Sequence, residues 1–271
     1  MGDYLFHNCT ALETVILPKS ATLIGENLFE MATSLRRVAV GRRTTTLECD
    51  LLQDLDDWGG IEEVSFITDQ YATSDSLAEA LAAQIDALII PGKAAKDTAK
   101  RYTYDKRLIK ACEAAGKPML GICLGHQHLN NYYKGKTRKN VDLNPNALEH
   151  RRVEDGYNVL INKKAHKIII EKDSEFYKLM GGKKKIKVNT SHNFSVSQIG
   201  NGLRVTAVAP DGMVEVIEGN NILGVQFHPE FLYGKLGYKE FLPIFQWLVD
   251  RAARAKEARI PQAPESDGCC E

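Results

Sequence analysis

The chain has 271 residues, 44% of them hydrophobic, and its 35 Lys and Arg offset 35 Asp and Glu. That balance argues against charge-driven binding to nucleic acid, and the length suffices for a full core in one or two domains. The N-terminus lacks the basic start and apolar run of a signal segment, and no stretch has the length of a membrane span, so a cytoplasmic chain that makes no membrane contact is expected.

The first fifty residues carry an internal repeat. Phe6, Thr10, Leu12 and Val15 recur in register as Phe29, Thr33, Leu35 and Val38, a period of 23 residues. Period and text resemble the BspA-like leucine-rich repeat, which implies a protein partner for residues 1–47. Two repeats are too few to bury the faces of a solenoid, so the segment either docks on the rest of the chain or belongs to a longer array. Arg37–Val40 reads equally as a repeat strand and as the first strand of the following domain.

From Cys49 the pattern is α/β. A helix is expected to Trp58, a strand over 63–67, a helix over 74–84, a strand over 85–90, a helix over 100–115 and a strand over 117–122. Such alternation with short loops predicts a mostly parallel sheet covered by helices on both faces. The strand-rich stretch 157–227, with one short helix at 174–180, predicts an antiparallel extension, and a helix over 238–258 closes the domain. Residues 48–258 thus form the main domain, and 259–271, with Pro, Ser and Gly, a disordered tail.

The chemistry is concentrated in two places. Gly121-Ile122-Cys123-Leu124-Gly125-His126-Gln127 puts a cysteine between an apolar strand and a helix, with small residues two positions to either side, the pattern of a nucleophile elbow. At a helix N-terminus the free N–H groups favour a thiolate and can receive an oxyanion. About a hundred residues on, the apolar run Ile222–Phe227 ends in His228-Pro229-Glu230. A histidine at a strand end can move protons for the sulfur, and a carboxylate two residues on can fix its tautomer. The other five cysteines, at 9, 49, 112, 269 and 270, follow no metal-site or disulfide spacing; Cys112 recurs with Tyr104 and Leu108 on a helix face and reads as packing.

GxCxGxQ followed by GVQFHPE resembles the class I glutamine amidotransferase family, which includes the γ-glutamyl hydrolases and the γ-glutamyl-γ-aminobutyrate hydrolases. Asp86–Gly92 resembles its oxyanion strand and loop, Val188–His192 its Asn-Ser-x-His stretch, and Ala209–Ile217 a strand pair of the γ-glutamyl-hydrolysing branch. The resemblance implies a Cys123-His228-Glu230 triad that cleaves the γ-glutamyl amide bond of a small compound through a γ-glutamyl thioester, with no cofactor and no metal. The N–H of Leu124 and one from the Gly92-Lys93 loop would hold the oxyanion, and Gln127 the substrate. His192 reads equally as a site residue and as a loop histidine, whereas His126 and His128 read as structural. Lys93 stands where the family has a second glycine, and Leu124 with His126-Gln127 looks more like the glutaminase subunits. Two other readings stay open: a glutaminase that feeds ammonia to a separate synthase, and a non-catalytic interaction protein.

Overall fold

The structure, a computed structural model, describes the strands β1 (Thr14–Leu17), β2 (Arg37–Val40) and β3 (Glu63–Val64) and residues 73–92, 98–154, 157–232 and 238–257. The expected helix ending at Trp58, Lys93 and the tail 259–271 lie outside the described residues.

Helix α1 (Asp75–Gln84) starts where the sequence places it, because the Ser74 hydroxyl accepts the Leu77 N–H and supplies the N-cap. Then follow β4 (Leu88–Ile90), α2 (Thr98–Ala114), β5 (Met119–Ile122) and α3 (Leu124–Tyr132). Side chains of β4 alternate between two cores, as the two-residue period of a strand requires. Leu88 and Ile90 pack with Ala78 and Leu81 of α1 and with Leu108, Ile109 and Cys112 of α2. Ala87 and Ile89 share the opposite core with Phe176 and with Phe245, Trp247 and Leu248 of the closing helix. Burying each large apolar side chain of this kind contributes about 1.5–3 kcal/mol.

After β6 (Lys136–Lys139), the short α4 (Asn140–Leu143) and the two-residue strands β7 (Val153–Glu154) and β8 (Tyr157–Asn158) come β9 (His166–Ile170), α5 (Glu175–Leu179), β10 (Lys185–Val188) and β11 (Phe194–Gln198). The chain ends its described part with β12 (Arg204–Val208), β13 (Val214–Gly219), β14 (Ile222–Val225) and α6 (Leu242–Glu257). The seven-stranded sheet has the order β10-β9-β12-β13-β14-β5-β4. Its β14-β5-β4 portion is parallel, and the pairings from β10 through β14 are antiparallel, so the strand-rich stretch is the antiparallel extension of an α/β fold.

β1, β2 and β3 form a separate parallel sheet in that order. Thr14 pairs with Arg37 and Leu17 with Val40, a stagger of 23 residues equal to the sequence period. β1 is the strand of the three that runs beside β4, the edge of the larger sheet. The segment nearest the α/β sheet is therefore Thr14–Leu17, and Arg37–Val40 lies one strand further out.

Candidate active site

Cys123 joins β5 to α3 with φ 52° and ψ −103°, a backbone region that costs a non-glycine residue about 1–3 kcal/mol. Its N–H donates to the Val225 carbonyl at 2.8 Å, so the last rung of the β5-β14 ladder holds the strained residue in place. Helix α3 leaves so sharply that it presses on the strands. A Cβ on Gly125 would stand 1.8 Å from the Ile90 carbonyl oxygen, and one on Gly121 2.5 Å from Leu129 Cδ1. The two glycines of the elbow are thus required by close approach. The first N–H groups of α3, that of Leu124 among them, have no acceptor within the helix and are free to face an anion beside the sulfur.

The strand end of β14 brings His228 to the same place. A Cβ on Gly92, at the end of β4, would lie 2.6 Å from His228 Cε1 and 3.0 Å from Cys123 Cβ. Three strand ends therefore meet around the sulfur. His228 Nδ1 is 2.7 Å from Glu230 Oε1, and the Cys123 sulfur lies near enough to the ring to favour its charged form. Burial favours the neutral ring, but the Glu230 carboxylate and then the sulfur outweigh it, and the imidazole is raised to about 10. The thiol can also donate to the Ser191 carbonyl, 3.9 Å from Sγ.

Two supports of this geometry were not singled out from the sequence. The Asn189 side chain accepts the His228 N–H and donates to the His228 carbonyl, both at 2.9 Å, and it also donates to the Ile161 carbonyl. This clamp fixes the backbone that carries the imidazole. Arg101 grips both carboxylate oxygens of Asp105 at 2.7 Å and donates to the Pro91 carbonyl at 3.3 Å, while Asp105 takes His128 Nδ1 at 2.7 Å. The chain of contacts ties the loop at Gly92 to α3. A family motif marks Asn189 only as part of a stretch, and its partners are far away in sequence; Arg101 finds Asp105 one helical turn on, but the link to His128 crosses to another helix.

Among the residues expected at the site, Gly92, Cys123, His228 and Glu230 come together, and Leu124 opens the helix beside them. Gln127 is turned inward: its Nε2 donates to the Phe194 carbonyl at 2.8 Å and to Gln226 Oε1 at 3.1 Å. His192 is buried, with Nδ1 3.1 Å from the Phe194 carbonyl and Nε2 3.7 Å from Glu215. His126 is completely enclosed, and burial pushes its imidazole down to about 4. Together with His128 it supports the helix from within.

A match to the family Peptidase C26 spans residues 63–230. A gamma-glutamyl-gamma-aminobutyrate hydrolase of Escherichia coli O157:H7 is 27% identical over 214 residues, covering 70% of this chain and 81% of that protein. A Schizosaccharomyces pombe protein whose name assigns it provisionally as a glutamine amidotransferase is 33% identical over 137 residues, 50% of this chain and 51% of the relative, so the chain spans about half the length of that protein. The glutaminase domain of Trypanosoma brucei CTPS, solved with acivicin bound, superposes with a TM-score of 0.53 at 18% identity, over 81% of this chain and 94% of that domain, which shows a shared fold. The chain belongs to the Peptidase C26 family, within the glutamine amidotransferase-like hydrolases.

Proposed function

We propose that this protein hydrolyses the γ-glutamyl amide bond of a small γ-glutamyl compound, with Cys123 as nucleophile, His228 as proton carrier and Glu230 as its orienting carboxylate. The reading rests on one observation above all: a cysteine held at a strained strand-to-helix turn, beside a histidine that a carboxylate fixes from the other side. The similarity to the E. coli hydrolase supports the substrate class.

His228 holds the proton of the Cys123 thiol, and the sulfur attacks the γ-carbonyl carbon. The N–H of Leu124 faces the oxygen on which charge develops; Lys93, expected to supply a second donor, lies outside the described residues. His228 then protonates the leaving nitrogen, the C–N bond breaks, and a γ-glutamyl thioester remains on Cys123. The now neutral imidazole takes a proton from water, hydroxide adds to the thioester, and glutamate or a γ-glutamate product leaves as the thiol is restored. Glu230 keeps Nδ1 protonated, so that Nε2 is the nitrogen that exchanges protons.

The test is a panel of γ-glutamyl amides and free glutamine, assayed for release of glutamate and amine by the purified chain. Turnover of at least one γ-glutamyl amide by the chain alone, lost in Cys123→Ser, is the expected result. Turnover of glutamine alone, and only in the presence of a second protein, would favour an ammonia-supplying glutaminase instead. No turnover, with Cys123 unreactive, would favour a binding role.

A further inference from the structure

Behind the active site lies a second polar cluster that the hydrolytic mechanism does not use. His150, from the loop after α4, His192, from the segment before β11, and Glu215, on β13, are buried together, and one donor atom of each lies within 4.8 Å of the others. The hydrogen bonds around them decide which atoms carry protons. His150 Nε2 is 2.8 Å from Asp211 Oδ2, an acceptor, so the proton of this ring sits on Nε2 and Nδ1 is a bare lone pair. The Thr190 hydroxyl, 3.3 Å from that Nδ1, already donates to the His150 carbonyl at 2.9 Å and offers it only lone pairs. His192 Nδ1 lies 3.1 Å from the Phe194 carbonyl, nearer than the Asn140 amide nitrogen at 3.4 Å, and the nearer contact favours the tautomer that donates from Nδ1 and leaves Nε2 bare.

Both bare nitrogens face one carboxylate. His150 Nδ1 is 3.8 Å and His192 Nε2 3.7 Å from Glu215 Oε1, and neither His192 Nε2 nor Glu215 Oε2 has a hydrogen-bond partner although both are shielded from solvent. Two lone pairs and an anion converging in a dry interior repel one another, and the His166 Nε2 contact at 2.9 Å offsets only part of the cost of the buried carboxylate. A cation at their centre resolves the conflict.

We infer that His150 Nδ1, His192 Nε2 and the Glu215 carboxylate bind a divalent transition ion of the zinc class as a closed structural site. The donor set is the His and carboxylate mixture that zinc takes, and tetrahedral bonds of about 2.0–2.2 Å require ligand atoms roughly 3.4 Å apart, so the observed 3.7 and 3.8 Å close with small rotations. Asp211 behind His150 is the carboxylate–histidine pairing that orients such ligands. His166 Nε2, 2.9 Å from Glu215 Oε1, donates to that oxygen in the metal-free chain and can fill the fourth position once its proton moves to Nδ1, which has no hydrogen-bond partner. The ion ties the antiparallel extension to residues 189–194, the segment that holds Asn189 against His228 and Ser191 against Cys123. This departs from the metal-free chain expected from the resemblance, and it stands whether or not the hydrolase reading does.

The experiment uses the full chain without a histidine tag. The protein is stripped with a chelator, dialysed against zinc and analysed for metal by mass spectrometry, and separately titrated with cobalt(II). One equivalent of zinc, a raised melting temperature and the visible absorption of four-coordinate cobalt are expected, and all three should disappear in Glu215→Gln and His192→Gln variants that keep the wild-type circular dichroism. Should those variants fail to fold, the wild-type chain decides alone. Uptake of less than a tenth of an equivalent of either ion, or a melting temperature unmoved by zinc, would overturn the site and leave the cluster balanced by protons; so would folded variants that load like the wild type.

Discussion

Cys123 and Cys112 are both buried thiols, and their surroundings set them apart. Burial in the α2 core pushes the Cys112 thiol up to about 12, with Lys117 opposing only in part, so it is inert at neutral pH. Cys123 has His228 and the first turn of a helix beside it. Cys123→Ser should abolish turnover, whereas Cys112→Ala should keep kcat and lower stability by about 1 kcal/mol for the small cavity; steady-state assays and denaturant melts on both variants check this. His228→Ala should lower kcat by about 10²–10⁴, and Glu230→Gln by less, because it disturbs the tautomer and leaves the proton carrier in place. The same imidazole imposes a pH dependence on folding. Its folded value of about 10 lies above the roughly 6.5 of an unfolded histidine, so its contribution is complete below about 6.5 and is lost as the pH rises through 10. Thermal melts should therefore show stability falling between those limits in the wild type and a flatter profile in His228→Gln; parallel profiles would remove His228 as the cause.

At the scale of elements, the elbow demands a helix that leaves a strand within touching distance of its neighbour. Gly125→Ala would drive a methyl into the Ile90 carbonyl, at 1.8 Å in the unrelaxed backbone, so the helix must shift. A loss of about 1–3 kcal/mol is expected, seen as a lower melting temperature together with reduced kcat; a variant as stable and active as the wild type would mean that the elbow has room to spare. This element was legible from sequence, because its glycines, cysteine and apolar strand are adjacent in the text. The helices at 75–84 and 98–114 were expected over 74–84 and 100–115 from the alternation of strands and helices, the second also from the four-residue spacing of Tyr104, Leu108 and Cys112. The clamp from Asn189 to His228 and the cluster of His150, His192 and Glu215 were not, since each is made by residues that are tens of positions apart and meet only once the sheet is assembled. Gln127 adds a contact the motif does not announce: its Nε2 donates to Phe194 and Gln226 inside the protein.

For the whole molecule, the N-terminal strands bear on the edge of the main sheet. From the sequence, Arg37–Val40 reads equally as a repeat strand and as the strand that joins it. In the structure Thr14–Leu17 runs beside β4, whose Ile90 carries the helix-α3 contact and whose end carries Gly92. Removing residues 1–33 should therefore already uncover an apolar sheet edge next to the site, and the truncated chain should melt lower, aggregate more readily and turn over more slowly than the full chain. Scanning calorimetry and light scattering on the two forms provide the comparison; equal melting temperatures would show that residues 1–33 do not cover that edge.

The central claim is that Cys123, driven by His228, accepts a γ-glutamyl acyl group. Its most direct measurement is intact-protein and peptide mass spectrometry after exposure to a chloromethyl ketone built on the glutamyl side chain, for the wild type and for His228→Ala. One adduct per chain, mapped to the peptide bearing Cys123, formed rapidly in the wild type and far more slowly in the variant, is the predicted result. Labelling of another cysteine, no labelling at all, or equal rates in the two proteins would contradict it.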